Sequence, residues 1–165
     1  MTNQDKINIY FNKLQAGIEH VPAIVANTAI ENFQNNFFKQ SFDGIPWLKV
    51  KKKPNDHTTL RASGKLFNSI NAKLISSNRV IISAGGSQIP YARIHNEGGT
   101  ITRDSRSETF VRNRNAKNRF TKGTTKGRGF TFSAYTYTMP KRQYMGITET
   151  LKNQIRDRII KKLKE

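Results

Sequence analysis

Cysteine is missing altogether from the 165 residues. Its absence excludes disulfide scaffolds, Cys-type zinc fingers, thiol nucleophiles and thiol redox chemistry. No stretch approaches 18 consecutive apolar residues, so a transmembrane helix is excluded as well. The start of the chain places Asp5 and Lys6 in a polar stretch instead of a basic segment followed by an apolar run, and does not read as a secretory signal. Apolar residues make up 35% of the chain, below the roughly 45–50% of ordinary domains in a count that includes Gly, so part of the chain is expected outside any core. Acidic residues are also scarce: 11 Asp and Glu stand against 29 Lys and Arg, a formal charge of +18. The length suits one core and not two, and the expectation is a single domain over residues 1–165.

The charge is unevenly spread. Residues 1–48 carry Lys6, Lys13 and Lys39 against Asp5, Glu19, Glu31 and Asp43, three minus four or −1, which leaves +19 for the remainder. Such asymmetry points to one portion that packs as ordinary helices and another that meets a polyanion, an acidic protein surface or a lipid headgroup layer. Nucleic acid and an acidic protein stay open as partners. A membrane surface is disfavoured, because no strongly amphipathic helix presents large exposed aromatics.

Periodicity organises the first half. Ile7, Tyr10, Phe11, Leu14 and Ile18 recur at spacings of three and four, the stripe of an amphipathic helix over 6–18. Pro22 suits the first turn of a second helix, in which Val25, Ala29, Phe33 and Phe37 recur every four residues to about Gln40, with Phe38 and Phe42 widening the apolar face. These aromatics are expected in the core, with the second helix at its centre. This helical pair occupies residues 2–42. A loop follows over 43–60, opened by Asp43-Gly44 and Ile45-Pro46, with Trp47 packing back on the helix and Lys49 to Lys53 exposed. Over 61–99, Ser63 is expected to cap a short helix that buries Leu66, Phe67 and Ile70. Two strand-like runs, Ala72 to Ser76 and Arg79 to Ala84, form a hairpin through Ser77 and Asn78, and the second, apolar on both faces, is expected to be central in its sheet. Pro90 to Gly99 reads as one or two helical turns with Tyr91 and Ile94 inward.

Residues 100–138 break the pattern. Arg103, Arg106, Arg112, Arg114, Lys117, Arg119, Lys122, Lys126 and Arg128 face only Asp104 and Glu108 up to residue 129, with Phe110 and Phe120 interleaved. Phe130 and Phe132, then Tyr135, Tyr137 and Met139, alternate out of phase, so a bulge near Ala134 or Tyr135 is expected in the return strand of a long basic hairpin arm. Guanidinium groups suit bidentate carboxylate or phosphate contacts, and the rings suit base stacking or insertion into a neighbouring subunit. A segment so charged is expected to order against a partner. Finally, over 139–165, Thr148 can cap a helix to about Lys164 with Leu151, Ile155, Ile159 and Leu163 in a stripe that Ile160 widens. Lys161, Lys162 and Lys164 complement the helix dipole in its last turn. The fold class expected is α+β: an N-terminal helical pair and a C-terminal helix packed on a small antiparallel sheet, with the arm extending from it.

Catalytic chemistry has little support. His20, His57 and His95 lie in separate segments without ligand spacing, and neither Gly85-Gly86 nor Gly98-Gly99 forms a phosphate-cradling loop, so no metal or cofactor is expected. His95 with Arg93 could serve a metal-free ribonuclease, but the stronger reading has His95 pin a short helix to the sheet.

Four spaced segments carry a resemblance: FDGIPW at Phe42 to Trp47, LRASGKLFNSI at Leu60 to Ile70, IPYARIHNEGG at Ile89 to Gly99, and MPKRQYMGIT at Met139 to Thr148. In order and spacing the chain resembles the phage virion morphogenesis family, the Mu-like tail completion proteins. The motif positions are Gly44, Pro46, Trp47, Gly64, Leu66, Ile70, Tyr91, Ile94, His95, Gly98, Gly99, Pro140, Arg142, Tyr144 and Gly146, with Gln143 standing where the family often has Pro. The resemblance implies a non-enzymatic virion component at the head-tail junction or tail end, assembled in the host cytoplasm. Its implied partners are other head-tail or tail proteins, and it would act as a subunit of a homo-oligomeric ring. The arm falls where the family varies, so no role passes to it. Non-specific DNA contact, as in a small basic nucleic-acid-binding protein, is the alternative.

Overall fold

The computed structural model describes residues 2–50, 58–109, 115–117 and 129–164, with the backbone alone at 107–109 and 129–131. The chain divides into two compact units, Met1–Gly98 with Pro140–Glu165, and Gly99–Met139. The fold is α+β with small antiparallel sheets, as the sequence leads one to expect.

In the first unit, helix α1 (Asn3–Glu19) opens with a capping box: Asp5 N–H donates to Thr2 Oγ1 at 3.2 Å and Thr2 N–H donates to Asp5 Oδ2 at 2.7 Å. Those two bonds hold the Asp5 carboxyl below its ordinary range. Helix α2 (Val21–Lys39) has Pro22 in its first turn and ends at Gln40, which adopts left-handed backbone (φ 52°). Strands β1 (Ser41–Phe42) and β2 (Ile45–Pro46) pair around Asp43 and Gly44, whose φ values of 47° and 83° are the positive pair that a two-residue hairpin turn demands. Helix α3 (Lys65–Asn68) precedes strands β3 (Asn71–Ser76) and β4 (Arg79–Ser83), antiparallel with a register shift between Ala72 and Leu74. Helix α4 (Ala92–Glu97) closes this half.

The second unit holds β5 (Gly99–Arg103), β6 (Arg106–Thr109), β7 (Gly129–Phe132) and β8 (Tyr135–Met139). Strand β5 pairs with β8, and β6 with β7, both antiparallel. The first unit then resumes, and helix α5 (Glu149–Lys164) begins where Leu151 N–H donates to Thr148 Oγ1 at 3.1 Å, the cap expected of Thr148.

Helix α2 is the centre of the first unit. It packs on β3, β4 and α5, and the core consists of Ala29, Phe33, Phe37, Trp47, Leu66, Ile70, Ile89, Ala92, Tyr144 and Leu151. Phe37 is fully buried, with the rings of Trp47, Phe67 and Tyr144 at centroid distances of 5.5, 5.8 and 5.1 Å. Burying that one side chain contributes roughly 2–3 kcal/mol. Along α5 burial fades from Leu151 through half-buried Ile155 and Ile159 to exposed Ile160 and Leu163, as the helix runs past the core.

Several expectations fail, each for a physical reason. The stripe of α1 is not core: Ile7, Tyr10, Phe11 and Ile18 are exposed, because α1 approaches the rest of the unit only near its end, where Gly17 meets Leu163 of α5. Phe38 is exposed too, lying one position off the Phe33 and Phe37 line, and the Arg61 guanidinium covers its ring at 4.2 Å. The cap of α3 is Gly64 in left-handed backbone (φ 69°), with Ser63 Oγ no closer than 3.5 Å to the Lys65 nitrogen. Tyr91 is exposed and Ile94 half-buried, because Ile89 and Ala92 take the inward positions. Among the described residues strand β4 is not central, since it pairs there only with β3, and α2 covers the pair.

The arm holds one further correction. Arg103 pairs with Tyr135 and Arg106 with Phe132, and both pairs of numbers sum to 238, so no residue is inserted between the two ladders. The expected bulge is absent. Instead pairing lapses over Asp104 and Ser105 opposite Ser133 and Ala134, an interruption of equal length on each strand.

Candidate functional site

The motif segments converge on one place in the first unit. Residues 140–148 run without regular structure from the hairpin to α5, and the first and third segments, with α2, hold them. Trp47 Nε1 donates to the Gln143 carbonyl at 2.7 Å, and Arg142 Nε donates to the Leu48 carbonyl at 3.0 Å. From the α4 side, Arg142 N–H donates to the His95 carbonyl at 2.8 Å and the Tyr144 hydroxyl donates to the Ala92 carbonyl at 3.0 Å. Asn96 Oδ1 accepts from both Tyr144 N–H and Met145 N–H at 3.0 Å, and Asn36 Nδ2 of α2 donates to the Tyr144 carbonyl at 3.1 Å. An extended segment has no ladder to satisfy its backbone, so the five bonds to its own main chain, at Arg142 N–H, the Gln143 carbonyl, Tyr144 N–H, the Tyr144 carbonyl and Met145 N–H, replace those that a helix or strand would supply. Net values of about 1 kcal/mol apiece make the set a substantial fraction of a domain's stability.

Glycines set the closeness of this packing. At Gly98 (φ 73°) a Cβ would lie 3.0 Å from the Lys141 nitrogen. At Gly146 it would meet Gln143 Nε2 and lie 2.8 Å from Phe42 Cζ. Only Gly serves both positions, for left-handed backbone in the first and for contact in the second.

Of the motif positions, Trp47, Leu66, Ile70, Arg142 and Tyr144 are buried, whereas Gly64, Ile94, His95, Gly98, Pro140 and Gly146 are half-buried. Gly44, Pro46, Tyr91 and Gly99 are exposed, and Gly44, Gly64 and Gly99 all use positive φ. Two residues that sequence reasoning missed, Asn36 and Asn96, join the segments. Asn36 was detectable as a polar residue beside Phe33 and Phe37 on an apolar face, and Asn96 lies inside the third segment itself.

The titratable groups here are structural in character. Burial pushes the Tyr144 hydroxyl up to about 12. Burial first, and the Arg142 charge second, hold the His95 imidazole below its ordinary value. His95 Nδ1 is buried without a hydrogen-bond partner among the described residues, and the ring stands edge-on to Tyr91 at 5.7 Å. Arg93, the other member of the ribonuclease pair, is turned to Glu97 at 2.9 Å with its side chain 85% exposed. The two are not brought together around one concavity.

In the second unit Arg106 lies over the Phe132 ring at 5.2 Å. Around the interruption in pairing, Thr102, Arg103, Asp104, Arg106, Phe132, Ser133 and Tyr135 line an open concavity of about 610 Å³. Lys117 is exposed. Phe110, Arg112, Arg114, Arg119, Phe120, Lys122, Lys126 and Arg128 lie outside the described residues, as do Lys51 to Lys53 of the basic loop.

What the first unit presents at its motif residues is a tightly bonded scaffold: buried rings, a buried guanidinium on a main-chain carbonyl, and glycines at close approaches. The chain belongs to the phage virion morphogenesis family, whose model matches residues 11–164 and so runs through the arm as well as the scaffold. No curated protein and no solved structure matches it.

Proposed function

We propose that this protein is a non-enzymatic tail completion or head-tail joining component of a tailed phage or prophage, resident in the virion and acting as a subunit of a homo-oligomeric ring that contacts other head-tail or tail proteins. Membership of the family supports a role in morphogenesis. The observation that carries the reading is where the motif residues go: Trp47, Arg142 and Tyr144 are spent on main-chain carbonyls and on Phe37 instead of converging on an open cleft. Residues used this way make a rigid subunit, which is what a ring requires. The test is microscopy of lysates from a phage whose copy of this gene is disrupted. Filled heads and separate tails are the expected products, and joined, infectious particles would overturn the reading.

The basic concavity of the second unit favours a second reading, that the arm contacts DNA. Arg103 and Arg106 sit beside Phe132 and Tyr135 there, cations with rings suited to phosphate and base contact. Affinity for duplex DNA that falls steeply between low and moderate salt, and is abolished in Arg103→Ala/Arg106→Ala, is expected on this reading. Salt-insensitive or absent binding would dispose of it.

A further inference from the structure

The second unit holds a site that an unbroken hairpin would not have. Ladder pairing stops at Arg103 and Tyr135 and resumes at Arg106 and Phe132. In a regular ribbon, side chains three positions apart lie on opposite faces, so these two pairs of cation and ring would point away from each other. All four residues nevertheless line one concavity of about 610 Å³. The lapse over Asp104 and Ser105, opposite Ser133 and Ala134, therefore turns the ribbon and gathers both pairs on one side. The volume falls within the roughly 300–1,000 Å³ of small-ligand sites.

The walls are chemically mixed. Tyr135 is 59% and Phe132 45% exposed, and the Arg106 guanidinium lies over the Phe132 ring at 5.2 Å, which makes a flat cationic surface. Asp104 joins the two arginines, so the walls carry two minus one, or +1. The whole unit, with nine Lys and Arg against Asp104 and Glu108, carries +7. That surplus selects a polyanion. The carboxylate and the rings then choose among polyanions. A duplex keeps its base faces stacked and turns its phosphates outward, so it gives the rings nothing to cover and Asp104 repels it. An acidic peptide meets the same repulsion. An unstacked base offers a face to each ring, and the amino group of cytosine or adenine is a donor for the carboxylate.

We infer that the concavity takes unstacked bases of single-stranded DNA. The base faces lie on Tyr135 and on the Phe132 and Arg106 surface, Arg103 meets the adjacent phosphate, and Asp104 accepts from a base amino group. This deepens the DNA reading and rests on it. What it adds is the strand state of the DNA and the division of labour within the site: cations supply affinity that any strand shares, and rings and carboxylate supply the preference for open bases.

The test is fluorescence anisotropy of the full-length protein with labelled oligo-dT, oligo-dC and a duplex of equal length, at one moderate salt concentration. In the wild type both single strands are expected to bind more tightly than the duplex, and oligo-dC more tightly than oligo-dT. Phe132→Leu/Tyr135→Leu keeps apolar bulk at two exposed positions and removes the flat rings. It should weaken oligo-dT on the order of tenfold, the loss of one stacked base, and leave the duplex unchanged. Tyr135→Phe should bind as the wild type does. Asp104→Ala should bind oligo-dT more tightly, through lost repulsion, and no longer prefer oligo-dC. A wild type that binds duplex as tightly as single strands, or a leucine variant that does not separate the two, would overturn this inference and leave the DNA reading standing. No binding to any oligonucleotide would overturn both. Oligoglutamate that displaces oligo-dT at equal charge would give the site to an acidic protein and overturn both as well.

Discussion

The indole Nε1 of Trp47 donates to the main-chain carbonyl of Gln143 at 2.7 Å, and its ring stands edge-on to Phe37 at 5.5 Å. One side chain thus bonds the segment before α5 and packs on the central helix. Trp47→Phe keeps most of the packing and leaves the Gln143 carbonyl without its donor, at a cost of about 1–2 kcal/mol. Trp47→Ala removes both, and should cost about 3–5 kcal/mol. Urea unfolding followed by circular dichroism checks the order, and equal costs would mean that the hydrogen bond dominates.

Tyr144→Phe deletes the bond to the Ala92 carbonyl and should cost about 1 kcal/mol near neutral pH. Its pH dependence carries a sign. The folded hydroxyl is pushed up to about 12 from an ordinary 10.0, so the unfolded chain releases its proton first. Stability therefore falls as pH rises through 10, and that component should vanish in Tyr144→Phe. Parallel alkaline melting curves for the two proteins would refute the assignment.

His95 titrates at the other end of the range. Its folded value is below the ordinary 6.5, so the unfolded state binds the proton more readily and stability is lost as pH falls below about 6.5. His95→Gln should flatten melting temperature against pH between 7 and 5. A wild-type profile that is already flat would show that the unpartnered Nδ1 carries no such cost.

Gly98→Ala and Gly44→Ala form a matched pair. Both positions have positive φ, but a Cβ at Gly44 meets open space while one at Gly98 lies 3.0 Å from the Lys141 nitrogen. The first should cost about 1 kcal/mol, the left-handed penalty alone. The second should cost more, by an increment that thermal melts resolve directly. Equal costs would mean that the segment at Lys141 gives way freely.

Replacing residues 104–134 with Asn-Gly joins Arg103 to Tyr135, which are cross-strand partners, through a two-residue turn of a suitable type. The first unit has its own core, so its melting temperature should change little, and the shortened protein should fail to complete particles. Full complementation by that variant would relieve the arm of any role in assembly.

Legible in residue order alone were the elements whose signal is local. The period of α2, the Pro22 start, the Thr148 cap, the turn at Asp43-Gly44 and the four motif segments all depend on neighbours within a few residues, which side-chain spacing and backbone preference report directly. The long basic hairpin was legible for the same reason, from alternation and charge. Other features depend on what lies opposite, and no periodicity encodes that. The stripe of α1 has the same spacing as a core helix, yet the one-residue link at His20 and the contact of Gly17 with Leu163 leave it facing water. The unbroken register of the arm could not be told from a bulge, because both place Phe132 and Tyr135 out of phase. Asn36 and Asn96 became structural bonds only when residues 108 and 48 positions away came alongside to receive them. Burial and hydrogen-bond partnership are properties of pairs distant in the chain, so packing settled them where spacing could only propose a face.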